Sequence, residues 1–432
     1  MSGRRALSFG LALALALPTV AEAQSAGVSR YVLANGVRVL VRESGDAGVV
    51  AVSLQVRAGS RFETPETAGI TNFLHRAMLR GTGRRSGEQL VEAAERLGGS
   101  LDASGEVEYA EVRGSALARH WEALLGLVAE VALTPTLPAD EVEKERRLIL
   151  SQIQTREDNP FPLAFDTLLR ELYGPHPYGL RTLGRRESVA ALGREDLLAH
   201  HRSIYRPDRL VLAISGRIER DRVRRTVEQL FGGLRIVAER PVDAAPAPAP
   251  TGVRRVLERP AQQAQILVGY LAPGLSEPDY PAVKVLAALL GGGMSGRLFV
   301  ELRDNRGLAY QVTALSPPRA GPGFLVAYMG TARENIPAAE AGMLRELERI
   351  PPEGVGEEEV ARAKAHVLGS LAMDRRTNAR HAWYLAFYEV VGAGWEFPER
   401  YARAVEAVTA VDVRAVAQRY LRRPTTVVLE PR

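Results

Sequence analysis

The chain has 432 residues, 25% of them charged, a formal net charge of +5 and no cysteine. Disulfides, thiolate nucleophiles and cysteine-ligated metals are therefore excluded. The small charge, interleaved in sign along helical segments, argues against nucleic acid as a partner, and the length suits two domains better than one core.

Arg4 and Arg5 precede the apolar run Leu7 to Val20, and Ala21-Glu22-Ala23 follows it. That is the order of a cleavable secretory signal, and the run is shorter than the ~20 residues of a membrane span. Residues 1–23 are expected to be a signal peptide and the mature chain to be periplasmic or secreted, with no stable membrane span; retention as an anchor is the alternative.

Residues 28–236 read as one α+β unit. Tyr31 to Leu33 and Val37 to Val41 flank Asn35-Gly36, a hairpin signal whose two turn positions both tolerate positive φ. Val49 to Arg57 alternates like a strand. Thr64-Pro65-Glu66 opens a helix that continues to Arg80 and closes at Gly81, and Ser86 caps another that stops at Gly98-Gly99. Strands are expected at Ser100 to Ala103 and Val107 to Ser115. Helices follow at Arg119 to Leu133, Ala139 to Asp158, Phe161 to Tyr173 and Arg194 to Tyr205, with Trp121, Leu124, Leu125 and Val128 as core. A strand at Arg209 to Ser215 and a helix at Arg220 to Phe231 close the unit.

Residues 237–252 hold Ala244 to Pro250, a stiff linker in which proline alternates with alanine. Across 253–432 the same order recurs. Gln263 to Tyr270 alternates as Ala51 to Arg57 does, and Pro281 to Leu290 takes the place of the helix through Arg80. Gly323 to Met329 parallels Val107 to Ser115. Glu357 opens a helix as Asp140 does, and Asp412 to Tyr420 with the strand Thr425 to Leu429 repeats Asp196 to Tyr205 and Leu210 to Ile214. The chain reads as a duplicated α+β unit.

Within the first unit, Asn72-Phe73-Leu74-His75-Arg76 lies on the helix closed by Gly81, and Glu145 is followed seven positions on, about two helical turns, by Gln152. In the second, Leu290-Gly291-Gly292-Gly293-Met294-Ser295-Gly296-Arg297-Leu298-Phe299 leads to Arg303 and, seven further, Tyr310. The run lacks the Gly-Lys-Ser/Thr of a phosphate loop. These segments resemble the M16 family of insulinase and mitochondrial processing peptidase, over about Tyr31 to Leu429.

The resemblance implies two homologous α/β-sandwich-like halves enclosing a chamber for extended or unfolded peptide. It also implies a zinc site in which His-x-x-Glu-His supplies two ligands and a general base, and a distal glutamate the third ligand. The matching positions here hold Asn72, His75, Arg76 and Gln152. Imidazoles hold Zn²⁺ and a carboxylate takes the proton of the bound water; a guanidinium does neither. Neutral amides are poor zinc ligands, and one histidine makes no site. We therefore expect no catalytic residue and no metal in this chain, and an ion pair between Arg76 and Glu145 in place of the metal's charge.

Arg303 and Tyr310 match the pair that reaches the substrate carbonyl from the C-terminal half in this family, and Gly291, Gly292 and Gly293 match a loop that lets peptide approach the backbone. In bacterial members made of unlike chains, one subunit carries the zinc motif and the other the arginine–tyrosine pair. The expected role is thus a non-catalytic subunit of an exported zinc peptidase heterodimer, with Zn²⁺ and intact His-x-x-Glu-His in the partner. A scaffold or peptide-binding module and an autonomous peptidase with another metal site are the rivals, and a homodimer stays open. His176-Pro177-Tyr178-Gly179 also matches the family and reads as structural. His120, His200, His201, His366 and His381 lack ligand spacing.

Overall fold

The computed structural model describes residues 23–25, 27–45, 48–236, 245 and 247–432. The expected signal segment up to residue 22, and Ala244 and Pro246 of the linker, lie outside the described residues.

Seven strands form the first sheet: β1 (Ala23–Ser25), β2 (Val28–Val32), β3 (Arg38–Glu43), β4 (Val49–Val56), β5 (Ser100–Gly105), β6 (Ala110–Leu117) and β7 (Leu210–Gly216), in the order β1-β2-β3-β7-β4-β6-β5. Five form the second: β8 (Arg254–Arg259), β9 (Ala264–Ala272), β10 (Gln311–Leu315), β11 (Gly323–Thr331) and β12 (Thr425–Pro431), in the order β10-β11-β9-β12-β8. The path β3-β7-β4-β6-β5 matches β8-β12-β9-β11-β10 in order and direction. Each contains one parallel pair at the same place, β3 with β7 and β8 with β12. The duplication expected from the sequence is a duplication of topology.

Both central strands, β4 and β9, are buried along almost their whole length, so alternation is not what they obey. Each sheet is covered on both faces, and one cover comes from the opposite half. On the first sheet, Leu40, Ala51, Val211 and Ala213 pack with Ala382, Ala386 and Phe387 of the Asn378–Val390 helix. On the second, Leu267, Phe324, Val326 and Val427 pack with Ala164, Leu168 and Leu172 of the Pro160–Tyr173 helix. A Cβ at Gly269 would lie 3.0 Å from a Leu168 methyl, so glycine in β9 sets how closely that helix approaches.

Polar contacts fix the exchange. The Asn378 amide donates to the Val49 carbonyl at 2.8 Å and its oxygen accepts from Ser215 at 2.9 Å. The Trp383 indole donates to the Tyr109 hydroxyl, and Arg30 pairs with Glu389, both at 2.8 Å. From the other side, the Tyr173 hydroxyl donates to the Pro322 carbonyl at 2.8 Å.

Two local expectations are corrected. The helix expected from Thr64 begins at Ile70. Thr64 and Thr67 instead close a turn, the Thr64 N–H donating to the Thr67 hydroxyl at 2.9 Å, and Gly69 takes φ 92°, which a left-handed turn before the helix requires. The β2–β3 hairpin forms with Val32 opposite Arg38, but only Gly36 has positive φ. Asn35 turns its amide onto the Phe231 carbonyl at 2.8 Å, capping the end of the Arg220–Phe231 helix. The remaining expected elements occur within a few residues of their expected bounds, Ala139–Asp158 and Arg220–Phe231 on them. Sequence reading missed Asn378–Val390, whose apolar positions surround the helix instead of forming one stripe. Among the described residues no helix is long and apolar enough to cross a membrane.

The exchange predicts that neither half is stable alone. Residues 28–236 produced by themselves should lack cooperative urea unfolding, whereas co-expression with 253–432 should yield a soluble 1:1 complex; a cooperatively folding isolated half would contradict this. Phe387→Ala in the intact chain should cost about 3 kcal/mol, read from the shift in urea midpoint.

Candidate functional site

The helix Ile70–Met78 starts where Glu63, 5% exposed, accepts from the N–H groups of Gly69 (2.7 Å) and Thr71 (3.0 Å). A carboxylate there satisfies otherwise unpaired amides and favours the helix dipole. The helix then lies against the end of β5, where a Cβ on Gly105 would sit 2.6 Å from the Asn72 nitrogen. The long helix Ala139–Asp158 runs alongside and carries Glu145 and Gln152.

His75 points into the core. Its Nδ1 faces the Thr71 carbonyl at 2.7 Å, which only accepts, so Nδ1 carries the proton and Nε2 accepts from the Tyr205 hydroxyl at 2.8 Å. Both nitrogens are engaged, and burial pulls the pKa down to about 3. His75 is thus a neutral structural histidine with no lone pair for a metal.

Arg76 turns toward the Ala139–Asp158 helix. Its Nε donates to Glu145 Oε1 at 2.5 Å and its guanidinium reaches Gln152 Oε1 at 2.5 Å. The expected ion pair forms. Arg80, one turn on and unforeseen in the sequence, donates to the other Glu145 oxygen at 2.6 and 3.0 Å. Its i+4 spacing from Arg76 was the available signal. Glu145 is 1% exposed and is bound by two cations. Arg76, Arg80, Arg84, Arg85 and Glu145 line an open groove of about 820 Å³. The Asn72 amide oxygen is buried without a hydrogen-bond partner among the described residues.

These residues do not fit Zn²⁺. Two guanidiniums occupy the Glu145 carboxylate, the amides of Asn72 and Gln152 are neutral, and His75 has no free nitrogen. Among the described residues no three His, Asp or Glu side chains converge to hold a metal.

Arg303 and Tyr310 lie in the second half and do not line this groove. Arg303 sits on a π-helical turn, Phe299–Asp304, with its guanidinium stacked 4.7 Å from the Phe299 ring centroid. Tyr310 is 74% exposed, while its N–H donates to the Gly330 carbonyl at 3.0 Å and fixes its backbone. Gly291 has a structural reason, since its Cβ would collide with the Ala314 nitrogen. Gly293 has φ 90° and is exposed. Tyr178 of the His-Pro-Tyr-Gly segment donates to Glu108 at 2.6 Å and accepts from the Gly321 N–H at 2.9 Å, so this segment joins the halves, as its structural reading requires.

Residues 38–186 match the model of the insulinase family (peptidase family M16), and residues 191–367 match the M16 inactive domain. A protein of Mycobacterium tuberculosis described as an uncharacterized zinc protease is 32% identical over 403 residues, 91% of each chain. This chain belongs to the M16 family. Another M16 relative, the uncharacterized zinc protease YmxG of Bacillus subtilis, is 28% identical over 82% of this chain and 86% of its own. Two solved structures share the M16 fold at TM-score 0.87: an M16 inactive domain from Pseudomonas fluorescens (23% identity, covering 94% of this chain and 98% of that one) and a protease from Helicobacter pylori (21%, 94% and 99%).

Two measurements test the site. Replacing Arg76 and Arg80 together by alanine leaves the buried Glu145 carboxylate unpaired and should cost about 3 kcal/mol; adding Glu145→Gln should recover most of it, read by urea denaturation. Burial also lowers His200, to about 4. The unfolded chain therefore takes up protons below pH 6.5 that folded His75 and His200 refuse. Stability should be full above pH 6.5 and fall as pH drops toward 4, by about 1.4 kcal/mol per pH unit per imidazole. His75→Gln should flatten that slope.

Proposed function

We propose that the chain is a non-catalytic subunit of an exported M16 zinc peptidase heterodimer. It lends Arg303 and Tyr310 to a partner that holds Zn²⁺ on an intact His-x-x-Glu-His helix. The observation that carries this reading is the Arg76–Glu145–Arg80 cluster with Gln152, which sets positive charge and a neutral amide where a zinc peptidase needs anionic and imidazole ligands.

Three features support it. The guanidinium of Arg303 and the phenol of Tyr310 are exposed donors suited to a scissile carbonyl and to the oxyanion that develops on it. They do not line this chain's own groove, which suits a role at another subunit's centre. Shared hydrophobic core joins the two halves directly, so a peptide chamber between facing halves would need a second chain for its other wall. The exposed donor pair favours this over a pure scaffold, to which it would be useless.

Zinc analysis and cleavage of a quenched peptide library test the proposal on the purified mature chain, alone and with a co-purifying M16 partner. The expected outcome is no stoichiometric zinc and no cleavage alone. With the partner, chelator-sensitive cleavage should appear and fall at least about 100-fold in Arg303→Ala or Tyr310→Phe. Zinc-dependent cleavage by the chain alone would refute it.

A further inference from the structure

The duplication builds a second groove. The Tyr280–Gly291 helix follows β9 as the Ile70–Met78 helix follows β4, the Glu357–Asp374 helix corresponds to Ala139–Asp158, and β10 corresponds to β5. Between these elements lies a cavity of about 680 Å³, with Gly291 to Gly293 and Thr313 to Pro318 on its wall. Tyr280, Tyr384, Tyr388 and Tyr401 supply further wall, stacked or tilted against one another and against Phe397.

Lys284 lines this aromatic cavity. Its ammonium donates to the Ser316 carbonyl at 2.6 Å. Among the described residues that is its one polar partner, and no carboxylate stands within ion-pair distance. Asp374, on the same wall, is already bound by the Tyr384 hydroxyl at 2.6 Å and by Arg380. The Tyr401 hydroxyl is buried with no hydrogen-bond partner among the described residues. Loss of water around Lys284 lowers its pKa to about 8, which leaves it mostly cationic at neutral pH. A half-buried cation with spare N–H donors therefore lines a largely aromatic cavity, where an acceptor on a ligand would meet those donors.

We propose that this cavity binds the carboxylate of a ligand with an apolar body, Lys284 supplying the cation and the tyrosine rings the cover for the body. A carboxylate answers this ammonium, since it accepts from the spare N–H donors and cancels the unpaired charge. The site uses neither Arg303 nor Tyr310 and stands whether or not the chain serves a peptidase.

Calorimetric titration of the full mature chain tests it, with Ala-Ala-Ala-Phe as free acid, the same peptide as C-terminal amide, and 3-phenylpropionate. The free acid should bind at least about tenfold more tightly than the amide, the worth of one charge-assisted hydrogen bond. Lys284→Met, folded by circular dichroism, should abolish the difference. Binding of the peptide acid alone assigns the site to peptide C-termini, and binding of 3-phenylpropionate as well assigns it to apolar carboxylates at large. Equal binding of acid and amide, undiminished acid binding by Lys284→Met, or no binding of any probe at about 10 mM overturns the proposal. The acid-to-amide comparison needs no variant, so it stands if Lys284→Met does not fold.

Discussion

The exchange of helices between the halves is the constraint on which the rest depends. A sheet of mixed direction with apolar residues on both faces must be covered twice. Here each half supplies one layer of helices for its own sheet and one helix for the other's. The result is a continuous core that no linker could replace, with Asn378, Trp383, Glu389 and Tyr173 holding the exchanged helices in register. Two homologous units thus behave as one body.

That arrangement decides where grooves can exist. Smaller cavities lie where the halves meet, and each half carries one larger concavity, framed by the helix after its central strand and by its edge strand. The two have diverged in charge. In the first, arginines surround a buried glutamate and neutralise it; in the second, a lone lysine faces tyrosine rings. Two cations on one carboxylate form a network in which each member is hydrogen-bonded, the condition under which a buried charge is tolerated. The same arrangement works against a divalent metal at this helix pair, because the buried Glu145 carboxylate is already paired with two guanidiniums.

Much of this was legible beforehand. The order of strands and helices followed from periodicity, caps and glycines, and the repeat from their recurrence after the linker. The pair of Arg76 with Glu145 was foreseen from the family resemblance, which sets Arg76 at a zinc-ligand position and Glu145 on the helix of the distal ligand. Arg80 was not foreseen, because exposed arginines at helix ends are common and its i+4 spacing from Arg76 was the one local mark that it turns the same way. Thr64-Pro65 looked like a helix start because proline suits the first turn, yet the threonine pair closes a turn of its own and the glycine before Ile70 sets the true start.

What the sequence alone determined is the set of residue types at each position: no cysteine, arginine and amides at the positions that resemble the family's ligand motif, and a repeated α+β pattern. Those are covalent facts, and their chemistry holds in any conformation. Only the tertiary structure decided that His75 spends both nitrogens in the core, that Tyr310 stands in solvent, and that Lys284 shares a cavity with Tyr401. Each depends on contacts between segments far apart in the chain, such as His75 with Tyr205 or Leu168 with β9, and local periodicity carries no information about which distant surface a side chain will meet.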